Sequence, residues 1–180
     1  DVLTSAQVTL RDLVTLRTGL PRHDWLWVDN PISRAELVAR MRHLKLSAGF
    51  RERFQYNNLT ATASGHVAEI VTGRSWEELV QERILEPLGM RNTTFGRPES
   101  ADVTDSFHET PQRKLTPTRR WRTEVIAPAG GSLYSTVEDM AHWMLFNLNG
   151  GRVQGRPLLR PETLALIHSP QIAAGSEPPS

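Results

Sequence analysis

Apolar positions along the chain recur mostly at helical spacing, with short polar signals punctuating them. Leu10, Leu13 and Val14, continued by Arg17, follow Thr9, and Asp12 stands where a capping box needs its acid. Gly19 and Pro21 stop that first, short helix. Ser33 with Glu36 marks a second start, after which Leu37, Val38, Met41 and Leu44 share one face to about Lys45, opposite Arg40 and His43. A third helix is predicted over about Leu59 to Thr72, with Val67, Ile70 and Val71 inward and Gly73 as a left-handed cap. Ala61, Ala63, Ser64 and Gly65 predict close packing near its start. Ser75 with Glu78 opens a fourth helix carrying Leu79, Val80 and Ile84, which Pro87 is expected to end. Thr136 with Asp139 opens a fifth, with Met140, Trp143, Met144 and Leu148 inward and Gly150-Gly151 closing it. Pro161 suits the first turn of a sixth, reaching about His168.

Strand patterns are few, and the best is a short hairpin over Arg152 to Leu159. Residues 97 to 128 hold four prolines and little periodicity, which reads as a long loop of the kind that is often functional. Residues 173–180 are small, polar and Pro-rich and read as a flexible tail. The fold class expected is mainly α with a few short strands, in one unit over 1–172.

A length of 180 residues suits a single domain, and 38% hydrophobic residues allow it one sizeable core. The net charge is +1, so bulk electrostatics give no reason to expect nucleic acid. The one basic, aromatic-bearing patch that could touch nucleic acid is Arg113, Lys114, Arg119, Arg120 and Arg122 around Trp121, and at this net charge it reads instead as a solvated loop or a rim that attracts anionic ligands. Cysteine is absent, which excludes disulfides, thiolate metal sites and a thiol nucleophile. The chain opens at Asp1, with no charged-then-apolar leader and no apolar run long enough to span a membrane, and is expected to begin partway through a longer protein. Its compartment stays open.

The chain has no H-E-x-x-H, no phosphate loop, and no G-x-S-x-G, the nearest approach being Gly130-Gly131-Ser132-Leu133-Tyr134. His66 and Glu69 form a helical pair that reads as solvated rather than metal-binding. What stands out is Phe54-Gln55-Tyr56-Asn57-Asn58-Leu59, a phenol and two amides just ahead of a helix. A tyrosine there has a bland reading, as a packed side chain hydrogen-bonded through its hydroxyl.

Four segments in order carry a resemblance. They are Val8 to Thr15 leading into Thr18-Gly19-Leu20-Pro21; Tyr56-Asn57-Asn58 in its F-x-Y-x-N-L setting; Glu86-Pro87-Leu88-Gly89-Met90 with Thr93 and Thr94; and Ala127-Pro128-Ala129-Gly130-Gly131-Ser132-Leu133-Tyr134-Ser135-Thr136 followed by Asp139-Met140. Together they resemble the serine β-lactamase and penicillin-binding-protein-like superfamily, in its class C-like branch. The resemblance implies the helical lobe of an α/β fold whose central sheet is largely missing from these residues. It also implies acyl transfer from an ester, amide or β-lactam through a serine acyl-enzyme, without metal or cofactor. Tyr56 would act as the base of the Y-x-N element, Asn58 would meet the substrate acyl group or hold the family's lysine, and Gly130-Gly131 would line the substrate cleft.

The departures are as informative. No serine is followed three residues on by a lysine, and the two lysines, Lys45 and Lys114, follow Arg42 and Pro111 at that spacing. The S-x-x-K nucleophile and the K-T-G or H-x-G strand are therefore expected outside residues 1–180, and the segment alone is expected to be inactive and to associate through apolar surface. Leu16 stands where many relatives carry His. The alternative is a non-catalytic binding or regulatory module that kept the fold.

Overall fold

The computed structural model describes residues 6–100, 102–119 and 121–174. Arg120 of the basic patch and residues 175–180 of the expected tail lie outside them.

Helix α1 (Leu10–Val14) begins in a reciprocal capping box, with Thr9 accepting from Asp12 N and Asp12 accepting from the Thr9 backbone. Helix α2 (Arg34–Arg40) continues as a 3₁₀ turn, Met41–His43. Only half of its predicted box forms, because Glu36 pairs with Arg40 instead of turning back to Ser33. Helix α3 (Asn58–Thr72) is capped by Asn57 and ended by Gly73 in the left-handed region. A complete capping box at Ser75 and Glu78 opens α4 (Trp76–Val80). The remaining elements are α5 (Glu86–Leu88), β1 (Thr94–Phe95), β2 (Phe107–Glu109), β3 (Leu115–Pro117), β4 (Leu133–Tyr134), α6 (Val137–Leu148), β5 (Arg152–Val153), β6 (Arg156–Pro157) and α7 (Pro161–Ile167). The strands form three antiparallel pairs, β1 with β4, β2 with β3 and β5 with β6. Helices thus dominate the described residues, as the periodicity predicts, and the predicted hairpin is β5–β6. Among the described residues no helix is long and apolar enough to cross a membrane.

Two apolar clusters hold the elements together. Trp27, Leu37, Leu59 and Ile126 form one, joining α2, the start of α3 and a 3₁₀ turn, Glu124–Ala129. Leu85, Leu88, Met90 and Phe146 form the other, joining α5 to α6. Between α3 and the 3₁₀ turn the approach is close enough that a Cβ on Gly65 would lie 2.4 Å from both Cβ and Cγ of Pro128. Arg34 braces the same region, donating to Val125 O at 3.1 Å and to Glu77 Oε1 at 2.6 Å and pairing with Glu69.

Four expectations need correcting. Ile70 and Val71 are exposed at 69% and 79%, because α3 buries Leu59 together with the smaller Thr60, Thr62, Ala63 and Gly65, which admit the neighbouring turn. Met140, Trp143, Met144 and Leu148 of α6 are also exposed, while Asp139 and Phe146 are buried. Pro87 does not end its helix. The chain widens into a π-turn over Gln81–Leu85, which leaves room for a ring that would strike the carbonyl four residues back, and Gly89 ends the run after Leu88. Finally, the long loop of residues 97 to 128 contains the β2–β3 hairpin and most of the 3₁₀ turn. Two of its cations are paired while staying largely exposed, Arg113 with Glu109 and Arg119 with Asp29.

Candidate active site

Tyr56 is positioned by a ladder between two irregular segments. Ser47 N donates to Gly19 O at 2.9 Å, Arg51 N to Arg17 O at 2.8 Å and Gln55 N to Leu16 O at 2.9 Å. Gly19 is required at one rung: its φ is +86°, and a Cβ there would lie 2.4 Å from Ala48 O. Leu16 has φ 57°, a left-handed conformation in which His is better tolerated than Leu.

Asp12 locks the ladder from below. Its carboxylate is fully buried and accepts from Thr9 N, Thr9 Oγ1, Arg17 Nε and both Nε and Nη2 of Arg51, at 2.7 to 2.9 Å. The Arg51 guanidinium, with smaller help from Thr9 and Arg17, holds the Asp12 carboxyl well below the usual carboxylate range against the opposing effect of burial.

Beyond the ladder, the extended backbone of Asn57 alternates the side chains. Asn57 is 2% exposed and points inward, where its Oδ1 caps α3 by accepting from Leu59 N and Thr60 N. Its Nδ2 donates to Leu20 O and Pro21 O at 3.2 and 2.8 Å. Tyr56, 48% exposed, and the half-buried Asn58 flank it. The Arg22 guanidinium lies over the Tyr56 ring, 5.4 Å from its centroid, and pairs with Asp24. Asp24 Oδ1 in turn accepts from Asn58 Nδ2 at 3.3 Å. The Tyr56 ring, Arg22, Asp24 and Asn58 are therefore linked in turn by a cation–π contact, an ion pair and an amide hydrogen bond.

Beside this group a concavity of about 490 Å³ is lined by Arg22, His23, Asp24, Trp25, Leu26 and Leu44. The long loop closes on its rim. Trp121 meets Trp25 edge-to-face at 6.4 Å, Arg119 lies over Trp121 at 4.7 Å, and Arg122 N donates to Asp29 Oδ1 at 3.4 Å.

Gly130 and Gly131 are not among the residues that line this concavity. They follow the 3₁₀ turn packed on α3, with their N–H groups returned to Ala127 O and Ile126 O. A Cβ on Gly131 would lie 2.5 Å from Ile126 Cδ1, within the cluster that contains Leu59. The structure thus ties Gly130-Gly131 to the helix that Tyr56-Asn57-Asn58 begins, through packing rather than contact. The segment that contains Gly130-Gly131 is also joined to the Glu86-Pro87-Leu88-Gly89-Met90 segment. Asp139 Oδ2 accepts from Asn92 N at 2.8 Å and Thr93 Oγ1 at 2.7 Å, pinning the Leu88-Gly89-Met90 corner to the start of α6.

Among the described residues no three His, Asp or Glu side chains gather as a metal site. His66 bonds to Glu69 at 2.9 Å, but Glu69 also serves Arg34 and Trp76 N, so the pair is a packed brace rather than a solvated one. Sequence reading missed Arg22, Asp24 and Trp25. The available signal was the charged, Trp-bearing run directly after Gly19-Leu20-Pro21.

The family model described as Beta-lactamase matches residues 2–175. The chain is 32% identical over 90 residues to the unguisins hydrolase ungD′ of Aspergillus campestris, an alignment covering 48% of this chain and 17% of that protein. Its backbone superposes on the octameric penicillin-binding protein homologue from Pyrococcus abyssi with a TM-score of 0.77 at 24% identity, over 94% of this chain and 40% of the other. The D-amino acid amidase from Ochrobactrum anthropi SV3 gives 0.71 at 20% identity, over 88% and 48%. At these identities the structural likeness concerns the fold. The chain spans between 17% and 37% of the length of three curated relatives it matches.

Proposed function

Since this chain belongs to the Beta-lactamase family, we propose that it is the helical lobe of a serine hydrolase that cleaves an ester, amide or β-lactam through an acyl-enzyme, with Tyr56 as the base. The single observation that carries the reading is the alternation at the start of α3: Asn57 is buried as the cap, which leaves Tyr56 accessible and joined to Asn58 through Arg22 and Asp24. In the proposed reaction a serine Oγ adds to the substrate carbonyl carbon and its proton passes to Tyr56. The bond to the leaving group then breaks, and Tyr56 returns the proton to the departing oxygen or nitrogen. Water repeats the sequence on the acyl-enzyme. Asn58 orients the acyl oxygen or the lysine beside the serine, and Gly130-Gly131 shapes the opposite wall.

These 180 residues hold no S-x-x-K, so the reading takes the serine and its lysine, and the central sheet, from elsewhere in the polypeptide. The exposed Ile70, Val71, Met144 and Leu148 are the apolar side chains such a sheet would cover. Alone, the segment would turn over nothing and would self-associate.

The test is acylation of the full-length protein by a chromogenic ester or a labelled penicillin. Tyr56→Phe is expected to slow acylation by about 10² to 10⁴-fold, the usual span of general acid–base catalysis. An unchanged acylation rate sinks the role of Tyr56. Complete failure of the parent protein to acylate supports the second reading, a non-catalytic binding module.

A further inference from the structure

We propose that Trp25 and Trp121 form an aromatic clamp at the rim of the Tyr56 site and that it takes a neutral aromatic group of the substrate. The proposal rests on the hydrolase reading for the word substrate, but the clamp itself stands on geometry. Trp25 is 83% exposed although it lines the concavity and touches Trp121, so most of its indole surface faces water. That exposure leaves indole surface of Trp25 free to stack on a flat apolar partner. Leu26 and Leu44 supply the apolar floor.

The clamp is braced rather than loose. Arg119 lies over the Trp121 ring and pairs with Asp29, and Arg122 N donates to the same carboxylate. These contacts join residues 119 to 122 to the segment after Gly19-Leu20-Pro21, about 90 residues away in sequence. They also decide the charge of the occupant. Arg22 is paired with Asp24 and Arg119 with Asp29, so the rim offers indole faces and neutralised ion pairs, which suits an uncharged group better than a carboxylate or an amine. Continuity with the reacting groups follows from shared residues. Arg22 and Asp24 line the concavity and also contact Tyr56 and Asn58. An aromatic ring stacked on the open surface of Trp25 would therefore lie beside the concavity whose Arg22 and Asp24 also contact Tyr56 and Asn58.

The experiment uses the full-length protein and two matched probe pairs. Phenylacetamide and acetamide are titrated against intrinsic tryptophan fluorescence, and phenylacetyl and acetyl p-nitrophenyl esters are compared as substrates. Phenylacetamide is expected to give a saturable change that acetamide lacks, and Trp25→Ala to weaken it about tenfold, the scale of a stacked aromatic pair with its buried area. The phenylacetyl to acetyl ratio of kcat/KM should fall by a similar factor in Trp25→Ala and Trp121→Ala and be largely restored in Trp121→Phe. Because Trp25 is so exposed, its replacement leaves the thermal midpoint as a check on folding. Binding without hydrolysis of either ester overturns the hydrolase reading and keeps the clamp. Hydrolysis with an unchanged ratio and no Trp25-dependent binding overturns the clamp and keeps the hydrolase. A fluorescence change that follows protein concentration instead of ligand assigns the indoles to contact between copies and overturns the clamp.

Discussion

Replacing Asp12 by Asn removes a charge and almost no volume, which makes it a clean probe of the ladder that carries Tyr56. Oδ1 of Asp12 receives Arg17 Nε and Arg51 Nε, and Oδ2 receives Thr9 N, Thr9 Oγ1 and Arg51 Nη2. An amide NH₂ in the first position faces two donors, and in the second it faces three, so neither orientation of the substituted side chain keeps the set. Each lost bond to a charged group costs about 1.5 to 3 kcal/mol, and a buried charge deprived of its partner costs about 3 to 5 kcal/mol. Arg51 is 45% exposed at its side chain and recovers part of this by turning to water, whereas Arg17 at 18% recovers less. The expected loss is therefore about 3 kcal/mol, toward the lower end of the buried range. In urea unfolding at pH 7, with a slope of about 2 kcal/mol/M, the midpoint should fall by about 1.5 M.

The pH dependence supplies an independent check. Asp12 has its carboxyl lowered in the folded state from an ordinary 3.8, chiefly by Arg51. A depressed folded-state value means that the stabilisation is complete above the unfolded value and is lost as the pH falls from there toward the folded one. The gap between wild type and Asp12→Asn should be constant from pH 7 to about 5 and narrow below about 4. A gap under about 1 kcal/mol at pH 7, or one equally wide at pH 3, would refute the network as described.

Two further predictions concern backbone fit. Gly65→Ala gains about 1 kcal/mol of helix propensity but drives a methyl into the Pro128 ring, an overpacking cost of about 1 to 3 kcal/mol, so a net fall in thermal midpoint is expected. A rise in Tm would show that α3 and the 3₁₀ turn are not in contact there. Gln154 is exposed, with φ 47° ahead of Gly155 at 79° in the β5–β6 turn, and Gln154→Asn should stabilise by about 0.5 kcal/mol in chemical unfolding because Asn accepts that conformation more readily. A loss of stability would count against the turn geometry.

The parts of this fold legible in the sequence are those decided within a few residues. The boxes at Thr9–Asp12 and Ser75–Glu78 form because both partners sit on one turn of the same helix. Burial was less legible, since it depends on what approaches. Ile70 and Val71 match a helical period as well as Leu59 does, yet α3 turns its small residues toward the 3₁₀ turn instead. The site divides in the same way. Tyr56 and Asn58 stand out as a compact run, whereas Asp12 meets Arg51 39 residues on, and Trp25 meets Trp121 across the long loop. No local pattern encodes such pairs. The widened turn before Pro87 escaped for another reason, as proline normally signals an end and the backbone found a rarer way to continue.

Asn57 has a consequence for how this region can vary. It caps α3 and tethers Leu20 and Pro21 with the same side chain, so nucleating the helix and fixing the loop under Arg22 are one event. Under the proposed function, a library that randomises Tyr56, Asn58 and Trp25 would sample reactivity and selectivity while the scaffold survives. One that includes position 57 would discard most of its members as unfolded before any chemistry was sampled. The middle letter of the tripeptide, the one the pattern Y-x-N leaves free, is in this chain the least negotiable of the three.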